Sequence, residues 1–218
     1  MKKRSNRFAA LGLAVLVIVA MLTGCGNQGS EISLKIGTGG EGGIYYAYGS
    51  ELRQMLSDQG VNLTVQTTGG SASNLRLIEN GLVDLAIVQN DILKASVDGS
   101  GVFASDGALA SIRAVTGLYT ESFQIVAAGN SDIETVSDLR GKRVSVGEEE
   151  SGVLENAAQI LAAYGLSFAD ITPVYLSFSD SAEAMKNGTI DAFFCTALAP
   201  TSAVAELAET QDIRLLSL

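Results

Sequence analysis

Apolar and polar positions along the chain alternate between short β-rich runs and amphipathic helical stretches. The pattern predicts helices at residues 44–56 and 71–79, and strands at 32–37, 62–67, 83–88, 112–118 and 123–128. The pair Asn80-Gly81 is typical of a helix end and closes the second helix. Because strands and helices follow one another in βαβ order, we predict an α/β fold with parallel strands.

A weak internal repeat divides the chain. Residues 80–87 (NGLVDLAI) are echoed by residues 187–194 (NGTIDAFF), and a short helix is predicted before each copy. Further upstream, each copy has a strand that enters a glycine-containing loop and then a long helix. The repeat predicts two lobes with the same plan, a first lobe at 31–120 and a second lobe at 121–218, rather than one continuous sheet.

The N-terminus has the features of a secretory leader. Four cations lie in residues 1–7, and an apolar or small stretch of 15 residues follows at 8–22. Leu22-Thr23-Gly24-Cys25 resembles a bacterial lipobox, so we expect a lipoprotein signal peptide at 1–24, a lipidated Cys25 and a polar tether at 25–30. This predicts an extracytoplasmic, membrane-anchored protein. The alternative is an uncleaved anchor with an incidental cysteine.

Composition excludes several functions. The net charge of −10 argues against a basic nucleic-acid interface, so no nucleic-acid partner is expected. The chain has no His, which removes Ser-His-Asp and Cys-His nucleophile systems and the usual transition-metal sites. We therefore expect no catalytic residue, no metal, no cofactor and no enzymatic activity. Cys195 lies in an apolar run and is most simply a packed core residue, a reactive thiol being the alternative.

Polar, glycine-rich loops follow several predicted strands, where ligands of α/β sheets commonly bind. Free N–H groups at the start of the helix at 71–79, with Ser71 or Ser73 as its cap, would suit a carboxylate. Arg76 in that helix is either a ligand-facing cation or a surface cation. Glu148 to Glu150 precede a later helix, and their charges would repel an anion.

Several motifs occurring in order resemble the TAXI family, the TRAP-associated extracytoplasmic immunogenic proteins, which are solute receptors of tripartite ATP-independent periplasmic (TRAP) transporters. The resemblance covers essentially residues 33–207. The motifs are Gly37-Thr38-Gly39-Gly40 with Gly42-Gly43 and Tyr45-Tyr46, Gln66 to Ser71 with Asn74-Leu75, Asp84 to Asp91, Asp138 to Gly147, Ser177-Phe178-Ser179, and Asp191 to Phe194.

The resemblance implies a two-lobed periplasmic-binding-protein fold of the second type. It implies a small carboxylate-bearing ligand, an amino acid such as glutamate or a dicarboxylate, delivered to the membrane permease subunits of a TRAP transporter by a monomer. A ligand-binding sensor or scavenger of the same fold is the alternative. The implied ligand contacts are Gly39, Gly40, Gly42, Gly43, Tyr45, Thr68, Gly69, Gly70, Ser71, Asn74, Gln89, Asp91, Ser145, Gly147, Ser151, Gly152, Asn156, Thr196 and Ala197.

Two features depart from the family pattern. Glu41 and Glu148 to Glu150 stand where small or neutral residues are common, which favours a ligand with an ammonium group over a simple dianion. Members of the family are longer, with a C-terminal segment that crosses back to the first lobe. This chain stops in an apolar, strand-like run at 213–218, so we expect an incomplete first lobe without its return segment.

Overall fold

The computed structural model describes residues 32–218, which contain two separate β-sheets. The first sheet has the order β2-β1-β3, and β1 and β3 are parallel. Its strands are β1 (Ile32–Gly37), β2 (Val61–Gln66) and β3 (Leu85–Ala86), and the helices that follow them are α1 (Ile44–Ser57), α2 (Ser71–Glu79) and α3 (Asn90–Asp98).

The second sheet has five strands in the order β6-β5-β7-β4-β8. These are β4 (Ser122–Ala128), β5 (Arg143–Ser145), β6 (Thr172–Val174), β7 (Ala192–Ala197) and β8 (Ile213–Leu215). The helices of this half are α4 (Gly152–Ala163), α5 (Phe178–Lys186) and α6 (Ser202–Thr210), with short 3₁₀ turns at Gly101–Phe103, Val136–Leu139 and Phe168–Asp170.

The core of the second half is built on both faces of its sheet. All six residues of β7 are buried, as expected for a strand covered on both sides. Phe194 joins the apolar cluster on one face with Leu161 of α4, and Phe193 joins the cluster on the other with Leu207 of α6. Cys195 is 1% exposed in that second cluster, and burial raises the pKa of its thiol to about 11. The prediction of a packed core cysteine is confirmed.

The repeat has matching contacts in both halves. The Asp84 carboxylate accepts a hydrogen bond from the backbone N–H of Lys35 at 2.8 Å, and Asp191 accepts one from Arg143 at the same distance. The glycines of the two Asn-Gly pairs have φ of 66° and 65°, a left-handed conformation that needs glycine at a helix end. The helix and the Asn-Gly stop are thus confirmed in both copies.

Two predicted strands differ from the structure. The strand predicted at 83–88 is reduced to the two residues of β3, which are only half-buried. Residues 112–118 form no strand at all: Val115 is 83% exposed, and the Arg113 guanidinium bonds to carbonyls of its own segment at Ala110 and Ile112. β-Branched composition predicted a strand here, but a strand also needs a partner, and this segment pairs with none in the described part of the chain.

The second sheet is mixed, whereas the βαβ order predicted only parallel strands. β5 runs parallel to β6 and β7, but β4 runs antiparallel to β7 and β8. In the register of β4 and β7, Ser122 faces Ala197. The first residue of β4 therefore lies at the edge where the parallel strands end, and Glu121 immediately before it lies at that edge too.

The leader, the lipobox and the tether lie outside the described residues, so the signal peptide and the lipidation of Cys25 stay predictions. Within residues 32–218, none of the helices combines the length and the apolar character needed to cross a bilayer.

A cavity at the strand ends

A cavity lies where the loops after the parallel strands of both sheets meet. It has a volume of about 70 Å³ and is partly open to solvent. The predicted contact residues that line it are Gly39, Gly40, Gly42, Gly43, Tyr45, Gly69, Gly70, Ser71, Gln89, Gly147, Ser151, Gly152, Thr196 and Ala197. Both halves of the chain therefore contribute to one wall.

Four helices begin at this wall. Their first residues, Ile44 of α1, Ser71 of α2, Gly152 of α4 and Phe178 of α5, all line the cavity. First-turn N–H groups have no acceptor within their own helix, and the helix dipole is positive at this end. A helix start whose N–H groups are free favours a negatively charged ligand atom.

The start of α2 is already occupied, contrary to the expectation that it would hold a carboxylate. The backbone N–H groups of Ala72 and Ser73 donate to the Glu150 carbonyl oxygen at 3.0 and 3.2 Å. Among the described residues no side chain caps this helix, and the Ser71 hydroxyl instead accepts a hydrogen bond from the Gln89 N–H at 3.0 Å. A loop of the second half thus caps a helix of the first half.

Glu150 makes this contact from a left-handed conformation with φ of 62°. Its side chain also pairs with Arg76 at 3.1 Å, and Arg76 pairs with Asp106 at 2.8 Å. The Arg76 guanidinium carbon lies 4.9 Å from the centre of the Phe103 ring. Arg76 does not line the cavity. Of the two roles that the sequence left open, the structure therefore supports the surface cation, which here holds a loop in place.

Asn74 and Thr68 do not line the cavity and instead hold its first-half wall together. Asn74 is fully buried, and its side-chain amide donates to the carbonyls of Thr38 at 2.7 Å and Ile87 at 2.8 Å. The Thr68 hydroxyl donates to the Asn74 side-chain oxygen at 2.7 Å. Asn74 therefore ties the ends of β1 and β3 to the loop after β2.

Three further predicted contacts, Ser145, Asp91 and Asn156, also lie behind the wall. The Ser145 hydroxyl is fully buried and lies 2.8 Å from the hydroxyl of Ser181. Asn156 donates to the Asp91 carboxylate at 3.0 Å and accepts from the Gln89 side-chain amide at 2.9 Å. These bonds join the two halves of the chain and position Gln89, which does line the cavity.

Gly152 allows Gln89 to approach. A Cβ atom at position 152 would lie 1.3 Å from Gln89 Oε1 and 2.4 Å from its Cδ, well inside van der Waals contact. Only a residue without a side chain leaves room for the Gln89 amide at the start of α4. The Oε1 atom itself is buried and has no hydrogen-bond partner within residues 32–218.

The cavity wall also contains residues that were not predicted as contacts: Ile44, Glu121, Glu148, Val153, Leu176, Ser177 and Phe178. Ser177 and Phe178 follow β6 and begin α5, so the rule that ligands bind after parallel strands could have found them. The same rule misses Glu121, because this residue precedes a strand that runs in the opposite direction.

Two carboxylates give the cavity its charge. Glu121 accepts a hydrogen bond from the Tyr45 hydroxyl at 3.2 Å, and burial, partly opposed by this bond, raises the pKa of Glu121 to about 7. Burial and the nearby Asp180 raise the pKa of Glu148. The wall residues that the structure describes include no Lys or Arg.

A metal site is not seen in the described residues: nowhere between 32 and 218 do three or more His, Cys, Asp or Glu side chains group so that they could hold an ion.

The sheets, the helices and the cavity between strand ends define a two-lobed periplasmic-binding-protein fold, which the chain shares with solved structures. The chain is 24% identical to the alkanesulfonate-binding protein SsuA from Xanthomonas axonopodis pv. citri bound to MOPS, with a TM-score of 0.58. It is 17% identical to an arginine-bound arginine-binding protein from T. maritima, with a TM-score of 0.58. Each alignment covers 85% of this chain. The aligned part is 60% of the Xanthomonas protein and 83% of the T. maritima protein.

The chain belongs to the NMT1-like family, whose pattern it matches over residues 36–218. A stretch of 71 residues is 39% identical to an Escherichia coli (strain K12) protein named for binding aliphatic sulfonates, covering 32% of this chain and 21% of that protein. The chain spans about 60% of the length of the Xanthomonas structure that it matches. The narrower assignment to the TAXI family stays a prediction.

Proposed function

We propose that this protein is an extracytoplasmic solute-binding receptor that captures a small carboxylate-bearing ligand between two lobes, residues 31–120 and 121–218. The observation that carries the proposal is the cavity at the strand ends, whose wall comes from both halves. Hydrogen bonds from α2 to Glu150 and from Gln89 to Asn156 join the halves beside it. Lobes that close on a ligand need such a shared wall, since closure buries the ligand and completes its contacts.

The helix starts around the cavity support an anionic group on the ligand. The start of α2 donates two N–H groups to the Glu150 carbonyl, and α4 and α5 each donate one to the capping hydroxyl of Ser151 or Ser177. The carboxylate would therefore bind at the start of α1, at the remaining first-turn N–H groups of α4 and α5 and at the glycine loops beside them. Relatives of the same fold are named for binding alkanesulfonates and arginine, ligands that each carry an acidic group. The ligand of this chain would then be an amino acid such as glutamate, or a dicarboxylate.

A thermal unfolding screen of the purified chain tests the proposal. The panel contains amino acids, dicarboxylates, 2-oxo acids and sulfonates. A ligand present at 100 times its dissociation constant stabilises the folded state by about 2.7 kcal/mol, which corresponds to roughly 5 to 10 °C for a domain of this size. A transition that no compound shifts would contradict the proposal.

Two glycine variants control the screen. Gly152→Ala should lose most of the ligand-induced shift, because its Cβ would collide with Gln89 in the cavity wall. Gly117→Ala should keep the full shift, since a Cβ at position 117 meets nothing within 4 Å. Equal shifts in both variants would place the ligand elsewhere.

Delivery of the ligand to a TRAP-type permease is part of the proposal and is supported by the TAXI-like motifs of the sequence. Permease subunits and receptor reconstituted together in vesicles should take up ligand when an ion gradient is imposed, without ATP. Uptake that requires ATP hydrolysis would contradict this part.

The lipid anchor is tested separately by fractionation of cells that express the full chain. The wild-type protein should remain with the membrane and carry the mass of a lipidated Cys25, and Cys25→Ser should be released or remain unprocessed. A membrane-bound protein whose Cys25 has no added mass would instead support the uncleaved anchor.

A further inference from the structure

One corner of the cavity, where Glu121 and Gln89 lie next to each other, has more hydrogen-bond acceptors than donors. Glu121 lines it with a carboxylate that accepts from the Tyr45 hydroxyl, and Gln89 lines it with a side chain whose buried oxygen has no partner in the described part of the chain. Gln89 is 8% exposed, so water cannot freely replace a missing donor. A buried acceptor without a partner destabilises the protein, and a hydrogen-bond donor on a ligand would remove this penalty.

The orientation of the Gln89 amide follows from its neighbours. The Asp91 carboxylate can only accept, so it fixes the amide nitrogen of Asn156 toward itself at 3.0 Å. The Asn156 oxygen therefore faces Gln89 and accepts its Nε2 at 2.9 Å. This chain of bonds leaves Gln89 Oε1 as the free atom, beside Gly152 in the wall.

Glu121 has no cation nearby. It forms no salt bridge within residues 32–218. The ionisable side chains close enough to interact electrostatically with it are those of Tyr45, Asp91, Tyr119 and Cys195, none of which can carry a positive charge. Burial raises the pKa of Glu121, and no positive charge in the described part of the chain offsets this effect. A cation supplied from outside would favour the charged form.

We propose that the ligand carries a protonated amino group, which donates hydrogen bonds to the Glu121 carboxylate and to Gln89 Oε1. The inference rests on the proposed function and narrows its ligand class: the ammonium binds in this corner while the acidic group lies at the helix starts. The ligand is therefore a zwitterion, an amino acid or an aminosulfonate, and not a dicarboxylate or a simple alkanesulfonate. An ammonium suits this corner because it offers three donors and accepts none.

Matched pairs of compounds that differ in the amino group test this proposal. The pairs are L-glutamate with 2-oxoglutarate, L-alanine with pyruvate, and taurine with ethanesulfonate, and the dissociation constants are measured by titration calorimetry at pH 8. A hydrogen bond to a charged group contributes about 1.5 to 3 kcal/mol. In the pair that binds, the compound with the amino group should therefore bind roughly 10- to 100-fold more tightly than its partner without one. Glu121→Gln should reduce this preference to less than threefold.

Glu41→Gln is the matched control. Glu41 is exposed and does not line the cavity, so removing its charge should leave at least a tenfold preference for the amine. If Glu121→Gln does not fold, Gln89→Met replaces it, and this variant should weaken the amine about tenfold while the amine-free partner keeps its affinity.

The outcomes separate the two proposals. Amine-free compounds that bind as tightly as their amine partners would overturn the ammonium site and leave the receptor function standing. A preference for the amine that survives Glu121→Gln would overturn the assignment to Glu121. If no compound of either kind binds the wild-type chain, the receptor function itself fails and the site fails with it.

Discussion

Replacing Asn74 by alanine should destabilise the folded chain strongly, although the sequence suggests a ligand contact at this position. The Asn74 side chain is fully buried and makes three hydrogen bonds, two as a donor to the carbonyls of Thr38 and Ile87 and one as an acceptor from Thr68. These bonds connect the ends of two strands with the loop that follows β2. Alanine can make none of them.

The magnitude follows from which groups lose their partner. The Thr68 hydroxyl also lies 2.9 Å from the Thr38 carbonyl, so in the variant it can turn to that oxygen and satisfy it. The Ile87 carbonyl loses the Asn74 amide without such a substitute. One orphaned buried carbonyl, the lost net hydrogen bonds and the small void together correspond to about 2 to 4 kcal/mol.

Urea unfolding followed by circular dichroism measures this loss, and thermal unfolding should show a decrease of roughly 5 to 10 °C. Asn80→Ala is the matched control at the end of the same helix, because Asn80 is exposed and its side chain makes a single hydrogen bond within residues 32–218, to the Arg76 carbonyl. We expect the control to lose less than about 1 kcal/mol. An Asn74→Ala variant that unfolds within 1 kcal/mol of the wild type but no longer binds ligand would refute the reasoning and make Asn74 a contact residue.

Three further predictions concern single residues. Glu150→Gly should change the free energy of unfolding by less than about 1 kcal/mol, because relief of the left-handed strain offsets loss of the exposed ion pair with Arg76. Glu150→Pro should lower the free energy of unfolding by more than about 2 kcal/mol, because proline cannot adopt the positive φ. Urea unfolding of the two variants measures both changes. Burial raises the pKa of Glu121 from 4.5 to about 7, so its contribution to stability is complete below pH 4.5 and is lost as the pH rises through 7. The free energy of unfolding is measured at pH 5 and pH 8. The wild type should lose about 1 to 2 kcal/mol more than Glu121→Gln between these pH values, a figure that allows for screening of the partly exposed group. Equal pH dependence in the two proteins would contradict the prediction. In a Cys25→Ser background, Cys195 should react with an aromatic disulfide reagent only in denaturant, because its thiol is buried with a pKa of about 11; rapid reaction of the native chain would show otherwise.

Much of the cavity wall could be predicted from the sequence, because glycine and hydroxyl residues after strands mark loops that begin helices. The residues predicted in this way that line the cavity are Gly39, Gly40, Gly42, Gly43, Gly69 to Ser71 and Ser151-Gly152. Asn74 and Asn156 have the same polar character and stand equally close to helix starts, yet they lie behind the wall. Polarity and spacing indicate that a residue is near the cavity, but the direction of a side chain depends on which buried groups need its hydrogen bonds.

The sequence by itself determined the local elements: the positions of α1 and α2, the strands β1 and β4 and the Asn-Gly stops of the two repeats. Each depends on periodicity, capping and turn preferences among residues close together in the chain. Only the tertiary structure decided that residues 112–118 pair with no strand, that Glu150 caps α2 and that β4 runs antiparallel and brings Glu121 to the cavity. These features depend on hydrogen bonds between groups tens of residues apart, and local sequence patterns do not specify which distant partner a strand or a helix end will meet.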